Sequence, residues 1–355
     1  MKWFNPQTEP FQIFGFPFYK QDRVYRRMPL SGEGVLPDAV YHLADETAGG
    51  QIRFHAKMKA LSIQVSLAAK PGFFAHIKAP HTARVTCDSF DLYLSKDGKD
   101  YIFCDVSKGM GPQENFYTRN LLEFDEEQEF DVLLNFPLYG GVDKILLGVN
   151  EAAEISAPWY HFKDERKLVV YGTSIQQGAS AGRPGMCMSN LLSRWLDREV
   201  YNLGFNSSGK GEAEVAHVIA GIEEMAALIL CIEGNCPDGE WLNNKLREFL
   251  RIFREKQPKT PIVIMSHMKS GRDMLHPELL EERMKNRKIQ QQIVEDHQVA
   301  GDRNIYLYIQ DVNTQEVKEH SVWHECTVDG LHYNDLGFYW ITERLCDFLR
   351  EKLEL

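Results

Sequence analysis

From residue 167 onward the chain alternates two periodicities, and that alternation restricts its fold more than any other feature. Short apolar runs at 168–171, 199–204, 226–232, 261–266 and 303–309 read as buried strands. Stripes at helical spacing lie between and after them. Leu191, Leu192, Trp195 and Leu196 form one; Val215, Val218, Ile219 and Ile222 a second; Leu242, Leu246, Phe249, Leu250 and Phe253 a third. Leu336, Trp340, Ile341, Leu345, Phe348 and Leu349 close the chain. A one-sided apolar helix must bury that side against a neighbour. Five strand–helix units in succession predict a parallel sheet with right-handed crossovers, covered by helices.

The first 155 residues follow another rhythm. Runs such as Gln51–His55, Leu61–Leu67, Phe90–Leu94, Tyr101–Cys104, Phe130–Leu134 and Lys144–Val149 alternate apolar with polar, as half-buried antiparallel strands do. Turn signals separate them at Lys70-Pro-Gly72, Lys96-Asp-Gly98 and Tyr139-Gly-Gly141. This predicts an all-β sandwich, jelly-roll-like, over 1–155. Small and polar residues with Pro158 mark a linker over 156–166, which Trp159 and Tyr160 would pin to a domain. The α/β domain then occupies 167–355.

Charge narrows the partners. Forty basic residues against fifty-one acidic ones give a formal charge of −11. General binding to nucleic acid or to an anionic membrane needs clustered positive charge instead, so neither is expected. No run approaches the roughly 18 apolar residues of a membrane span. The opening Met1–Pro6 lacks the apolar core of a secretory signal, and a cytoplasmic location is expected. Seven cysteines, odd in number and widely spaced, read as buried reduced thiols.

The chemistry gathers at the ends of the apolar runs. Gly172 stops the first run, and Ser174 follows on a turn, where open α/β sheets place ligands. Serine needs a base to become a nucleophile. Asp329-Gly-Leu-His332, before the last helix, offers an imidazole and a carboxylate to fix its tautomer. Alone, that pair reads more readily as a capping aspartate and a surface histidine. Asn235 follows the third run and could donate its amide to a developing oxyanion, or simply precede the turn at Pro237. Between the second run and its helix lies Asn202–Gly211. Gly204-x4-Gly209-Lys210 mimics a phosphate-binding loop, but Gly211 replaces the hydroxyl residue that would hold magnesium. The rival reading aims the loop's amides, that of Ser207 above all, at an oxyanion.

These segments, in this order, resemble the SGNH (GDSL-type) hydrolase family. Gly172-Thr-Ser174 is similar to its first block, the loop after Asn202 to its second, Asn235 to its third and Asp329-x-x-His332 to its fifth. Tyr171–Gly178, Arg183–Met186, Asn202–Phe205 and Leu138-Tyr139 further resemble a bacterial subgroup with an N-terminal β-sandwich. The resemblance implies a flavodoxin-like three-layer domain and a serine esterase with no metal or cofactor. It implies Ser174, His332 and Asp329 as catalytic residues. Ser174, Ser207 and Asn235 would hold the oxyanion. The substrate would be a short acyl ester, acetyl above all, on a small molecule or carbohydrate.

Three positions depart from the family pattern. Thr173 stands for the usual Asp, and Ser207 for a glycine. Glu233-Gly-Asn-Cys236 replaces Gly-x-Asn-Asp, placing an acid that would repel anionic substrates. Arg183, Tyr139 and His267 are further substrate-binding candidates. Arg183 equally suits tying its loop to an acid, and His267 a structural role. His320, His324 and Cys326 have zinc-like spacing without an evident fourth ligand. Cys231 and Cys236 do not form a redox pair. Two other functions fit the same residues: a carbohydrate-binding protein whose hydrolase site has decayed, and a thioesterase or lysophospholipase.

Overall fold

The computed structural model describes residues 1–68, 81–107, 115–159, 161–268, 270–310 and 323–355. The turn at 70–72, Tyr160 and His320 lie outside them. Of the predicted parallel strands, all five form: β9 (Lys167–Gly172), β10 (Val200–Gly204), β11 (Met225–Cys231), β12 (Ile262–Met265) and β13 (Ile305–Tyr308). Their order is β10-β9-β11-β12-β13, every neighbouring pair parallel. The chain thus leaves β9 in both directions, and the crevice at that switch opens at the strands' carboxyl ends.

The sheet is the middle of three layers. Leu168 and Val170 belong to a core shared with the helices Met188–Trp195 and Asp335–Leu353. Val169 and Tyr171 face the opposite core, built with Ala213–Ala220 and Gly239–Lys256. Burial on both faces is why β9 is apolar without alternation. Helix Pro277–Val299 carries no apolar stripe in the sequence because its buried face is mixed. Ile293 and Val294 are accompanied there by Asn286, Arg287 and Gln290. Among the described residues no helix is long and apolar enough to cross a membrane.

The N-terminal strands are β1 (Lys2–Phe4), β2 (Gln12–Phe14), β3 (Gln51–Leu67), β4 (Asp91–Ser95), β5 (Ile102–Val106), β6 (Phe116–Asn135), β7 (Val142–Val149) and β8 (Glu154–Ser156). They form one antiparallel sheet, β1-β7-β3-β6-β4-β5, with β2 and β8 also on β3. The runs 51–55 and 61–67 are the two ends of one strand. Ile52, Phe54, Ala56 and Met58 are buried at even positions, and Leu61, Ile63 and Val65 at odd ones. Irregular pairing with β6 between Met58 and Ala60, and between Leu61 and Ser62, accounts for the change of parity. A period-two reading has to break there.

The N-terminal region also reaches into the α/β core. Met28, Leu36, Val40 and Ala44 share the apolar cluster of Val169, Tyr171 and Leu203. Fully buried Arg27 donates to the carbonyls of Leu43 (2.7 Å), Glu46 (2.6 Å) and, across the interface, Gly204. The segment expected to be a linker is fastened at both ends. Trp159 stacks on His55, ring centroids 3.7 Å apart, and Asp164 pairs with Arg198 at 2.8 Å.

A buried polar chain joins the regions where the site lies. Gln51 donates to Asn135 (3.2 Å), and Asn135 to Asp91 (2.8 Å). Asp91, fully buried on β4, accepts from Arg183 (3.0 Å) and from the N–H of Gly185 (2.6 Å). Burial raises the Asp91 carboxyl above its ordinary range, against the pull of Asn135, Arg183 and Gly185. Removing it takes the carboxylate partner from a half-buried guanidinium, which keeps only the Tyr93 hydroxyl, and the acceptor from the Gly185 N–H. Asp91→Ala should therefore cost about 3 kcal/mol of stability, measured by urea unfolding. A loss below about 1 kcal/mol would contradict this account.

Candidate active site

Ser174 opens a one-turn helix, Ser174–Gln177, directly after β9. Thr173 caps it: its hydroxyl accepts from the N–H of Ile175, and Gln176 reaches back to the Thr173 N–H at 3.0 Å. The threonine therefore does an N-cap's work where the family's usual aspartate would stand. Being first in the helix, the Ser174 N–H has no intrahelical acceptor. Gly178 ends the turn at φ +110°, and its N–H returns to the Ser174 carbonyl at 3.0 Å.

The other half arrives from the far end of the chain. Asn334 caps the last helix, its Oδ1 accepting from Gly337 at 3.0 Å. Just before it, Asp329 and His332 lie on a tight turn through Gly330 at φ +82°. The Asp329 Oδ1 accepts from the N–H groups of Leu331 (2.9 Å) and His332 (2.8 Å). Its Oδ2 lies 2.8 Å from His332 Nδ1. The opposite ring nitrogen, Nε2, is 3.0 Å from Ser174 Oγ, across 158 residues of sequence. Burial pushes the Asp329 carboxyl up, but the N–H and ring of His332 and the N–H of Leu331 outweigh it and hold it below its ordinary value. A carboxylate thus faces Nδ1, and Nε2 faces the serine hydroxyl, an arrangement able to take up its proton.

The loop after β10 lies alongside. Phe205 N–H donates to the Gly172 carbonyl at 2.9 Å. A side chain on Gly209, at φ +69°, would begin 2.0 Å from that same oxygen, so only glycine fits. Ser207 is exposed and holds φ +56°. The family's glycine position thus keeps a glycine-like backbone with a side chain added. Asn235, after β11, donates its amide to the Ser208 carbonyl and binds the two loops together. An amide nitrogen carries two hydrogens; the second has only a long contact, 3.5 Å, to the Phe205 carbonyl.

A model of the GDSL-like lipase/acylhydrolase family matches residues 165–350. The chain belongs to the GDSL-like lipase/acylhydrolase family. A model of the N-terminus of SGNH-type esterases matches 1–155. No curated protein sequence matches the chain. Among solved structures it is similar to a protein assigned as a GDSL-like lipase from Bacteroides ovatus, at 27% identity and TM-score 0.87, covering 99% of this chain and 98% of that one. The salicylyl-acyltransferase SsfX3 of a tetracycline biosynthetic pathway is 17% identical with TM-score 0.72, over 99% and 96%. An acetyl xylan esterase from Butyrivibrio proteoclasticus is 13% identical with TM-score 0.58, over the full length of both. Family membership makes the chain a carboxylic-ester hydrolase.

Other residues of this hydrolase stand differently from expectation. Tyr139 is not open to substrate: it is 1% exposed and lies beneath Ser174, its hydroxyl 3.4 Å from the Ser174 carbonyl. Glu233 does not present its charge to solvent, for its buried carboxylate accepts from the His267 N–H (2.8 Å) and from Gln290 (3.0 Å). Burial raises it. His267 is buried beside Arg283; burial first, then that guanidinium, pushes it down to about 4, so it stays neutral. Arg183 is bound to Asp91 and Tyr93 and lies over Phe103. The phosphate-loop mimic holds no phosphate geometry: its helix begins only at Ala213, and the N–H of Lys210 meets the Glu212 carboxylate at 2.9 Å. His324 pairs with Glu325 and Cys326 is buried.

Residues that hold the site were not read from the sequence. Asn202 donates to the carbonyls of Gln176 (2.9 Å) and Gln177 (3.3 Å), closing the end of the Ser174–Gln177 helix. Gln177 accepts from the Asn206 N–H at 2.9 Å and donates to Glu46. The N-terminal model is named for Gly-x-Asp-Leu-Tyr, which appears here as Ser89-Phe-Asp-Leu-Tyr93. That was the available signal for Asp91 and Tyr93.

Ser207→Gly should stabilise the protein by about 0.5–1 kcal/mol, the cost of a left-handed side-chain residue less the extra freedom of unfolded glycine. Thermal unfolding would register this as a higher Tm, and a lower one would refute the strain at this position.

Proposed function

We propose that the protein is a serine esterase that removes short acyl groups, acetyl above all, from a carbohydrate. The observation that carries the reading is the unbroken chain from Ser174 Oγ through the His332 ring to Asp329. Ser174 Oγ attacks the ester carbonyl while His332 Nε2 takes its proton. Asp329 keeps the Nδ1 hydrogen in place and offsets the charge of the imidazolium. The N–H groups of Ser174 and Ser207 and the Asn235 amide receive the oxyanion. His332 then returns the proton to the departing alcohol, leaving an acyl-enzyme. Water, deprotonated by the same ring, attacks that acyl group and frees the acid and the serine.

The acetyl xylan esterase among the structural relatives supports the acyl group and the carbohydrate. The N-cap at Thr173 and the Asn235 bridge support a working site over a decayed one, because the altered first and third blocks still fasten their loops.

Ser174→Ala should lower hydrolysis of p-nitrophenyl acetate about a millionfold without altering the circular dichroism. A fluorophosphonate probe should label the wild type at Ser174 and leave this variant unmarked. Labelling at neither would favour the decayed carbohydrate-binding reading. Asn235→Ala should reduce kcat about a hundred- to a thousandfold. Across p-nitrophenyl esters, acetate should turn over faster than octanoate; the reverse order would point to a lysophospholipase.

A further inference from the structure

The edges of the His332 ring are held, Nε2 by Ser174 and Nδ1 by Asp329. Bonds in the ring plane restrain tilting out of that plane only weakly. One face of the ring meets His81, which belongs to the N-terminal region. The two imidazoles lie parallel, centroids 4.1 Å apart and planes inclined by 8°. His81 is itself tied to the nucleophile loop, its carbonyl accepting from Ser180 Oγ at 3.0 Å. Ser180 holds the left-handed conformation, φ +69°, in making that bond.

We propose that His81 is a positioning residue for the base: its ring covers one face of His332, keeps that ring in the plane shared by Ser174 and Asp329, and steadies it when it carries charge. The proposal rests on reading Ser174, His332 and Asp329 as a triad. The charged state is where the contact matters. As Ser174 gives up its proton, His332 becomes a cation, and a neutral aromatic face beside a cation is stabilising. His81 is suited to remain neutral. Burial lowers its pKa, His332 lowers it further, and Asp329 acts in the opposite direction. The N-terminal region thereby completes the catalytic group as well as bracing its loop.

The donor atoms of His81, Asp329 and His332 fall within 4.8 Å of one another, so a bound cation is the rival. Ring nitrogens ligate in the plane of their ring. Two parallel planes this far apart cannot both contain one ion, and the Asp329 Oδ2 already engages His332. Stacking is therefore the better account.

The test uses the full chain and p-nitrophenyl acetate. His81→Ala should lower kcat roughly tenfold, leave KM within about twofold, and slow fluorophosphonate labelling of Ser174 by a similar factor. His81→Phe, which keeps a flat face and no ring nitrogen, should recover most of the loss. Thermal unfolding of both variants checks that the fold persists, and His81→Phe decides if His81→Ala fails to fold. An unchanged kcat, or a loss confined to KM, would overturn the proposal. So would a His81→Phe variant as slow as His81→Ala, or wild-type activity that falls with EDTA. Wild-type protein that neither labels nor cleaves the ester would remove the triad reading itself, a result distinct from all of these.

Discussion

The site depends on a single helical turn that four residues could not sustain alone. Nucleating a helix fixes several dihedral angles for one hydrogen bond, and so short a helix has no intrinsic stability. Each of its ends is held from outside. Thr173 and Gln176 satisfy the start, and Asn202 takes the carbonyls at the finish. Gln177 and Tyr139 anchor it from below. With the turn held at both ends, the Ser174 hydroxyl lies 3.0 Å from Nε2 of the His332 ring.

Several of those supports come from the N-terminal region. Glu46, Leu138 and Tyr139 lie under the turn, Asp91 and Tyr93 hold the following loop through Arg183, and Arg27 reaches the end of β10. Buried polar contacts of this kind demand exact partners, since each unpaired group carries its full desolvation penalty. The two regions therefore dock in one arrangement, and the antiparallel sheet is part of the scaffold of the site.

Much of the architecture was legible. The five parallel strands lie within two residues of their predicted limits, because buried β-branched runs bounded by glycine have few other fates. The helix Pro277–Val299 was not, since its buried face is largely polar and leaves no period to detect. The two halves of β3 looked like separate strands, because irregular pairing changes the parity of burial midway. At the site, Ser174, Asp329 and His332 stood out through block order and are within hydrogen-bonding reach of one another. Asp91 and His81 did not, because a buried polar residue in a strand or loop reads like an exposed one.

Composition, periodicity and motif order by themselves determined the α/β class, the sheet-rich region before it and the polar residue types at the strand ends. These properties depend on near neighbours in sequence: alternation, helical spacing and turn chemistry act over a few residues. Tertiary structure alone decided which polar groups found partners. It sent Glu233 and Tyr139 inward, bound Arg183 to Asp91, and brought a histidine from the first hundred residues onto the face of one near the end. Those outcomes follow from desolvation, which charges each buried polar group for the partner it lacks, and no local pattern records who that partner will be.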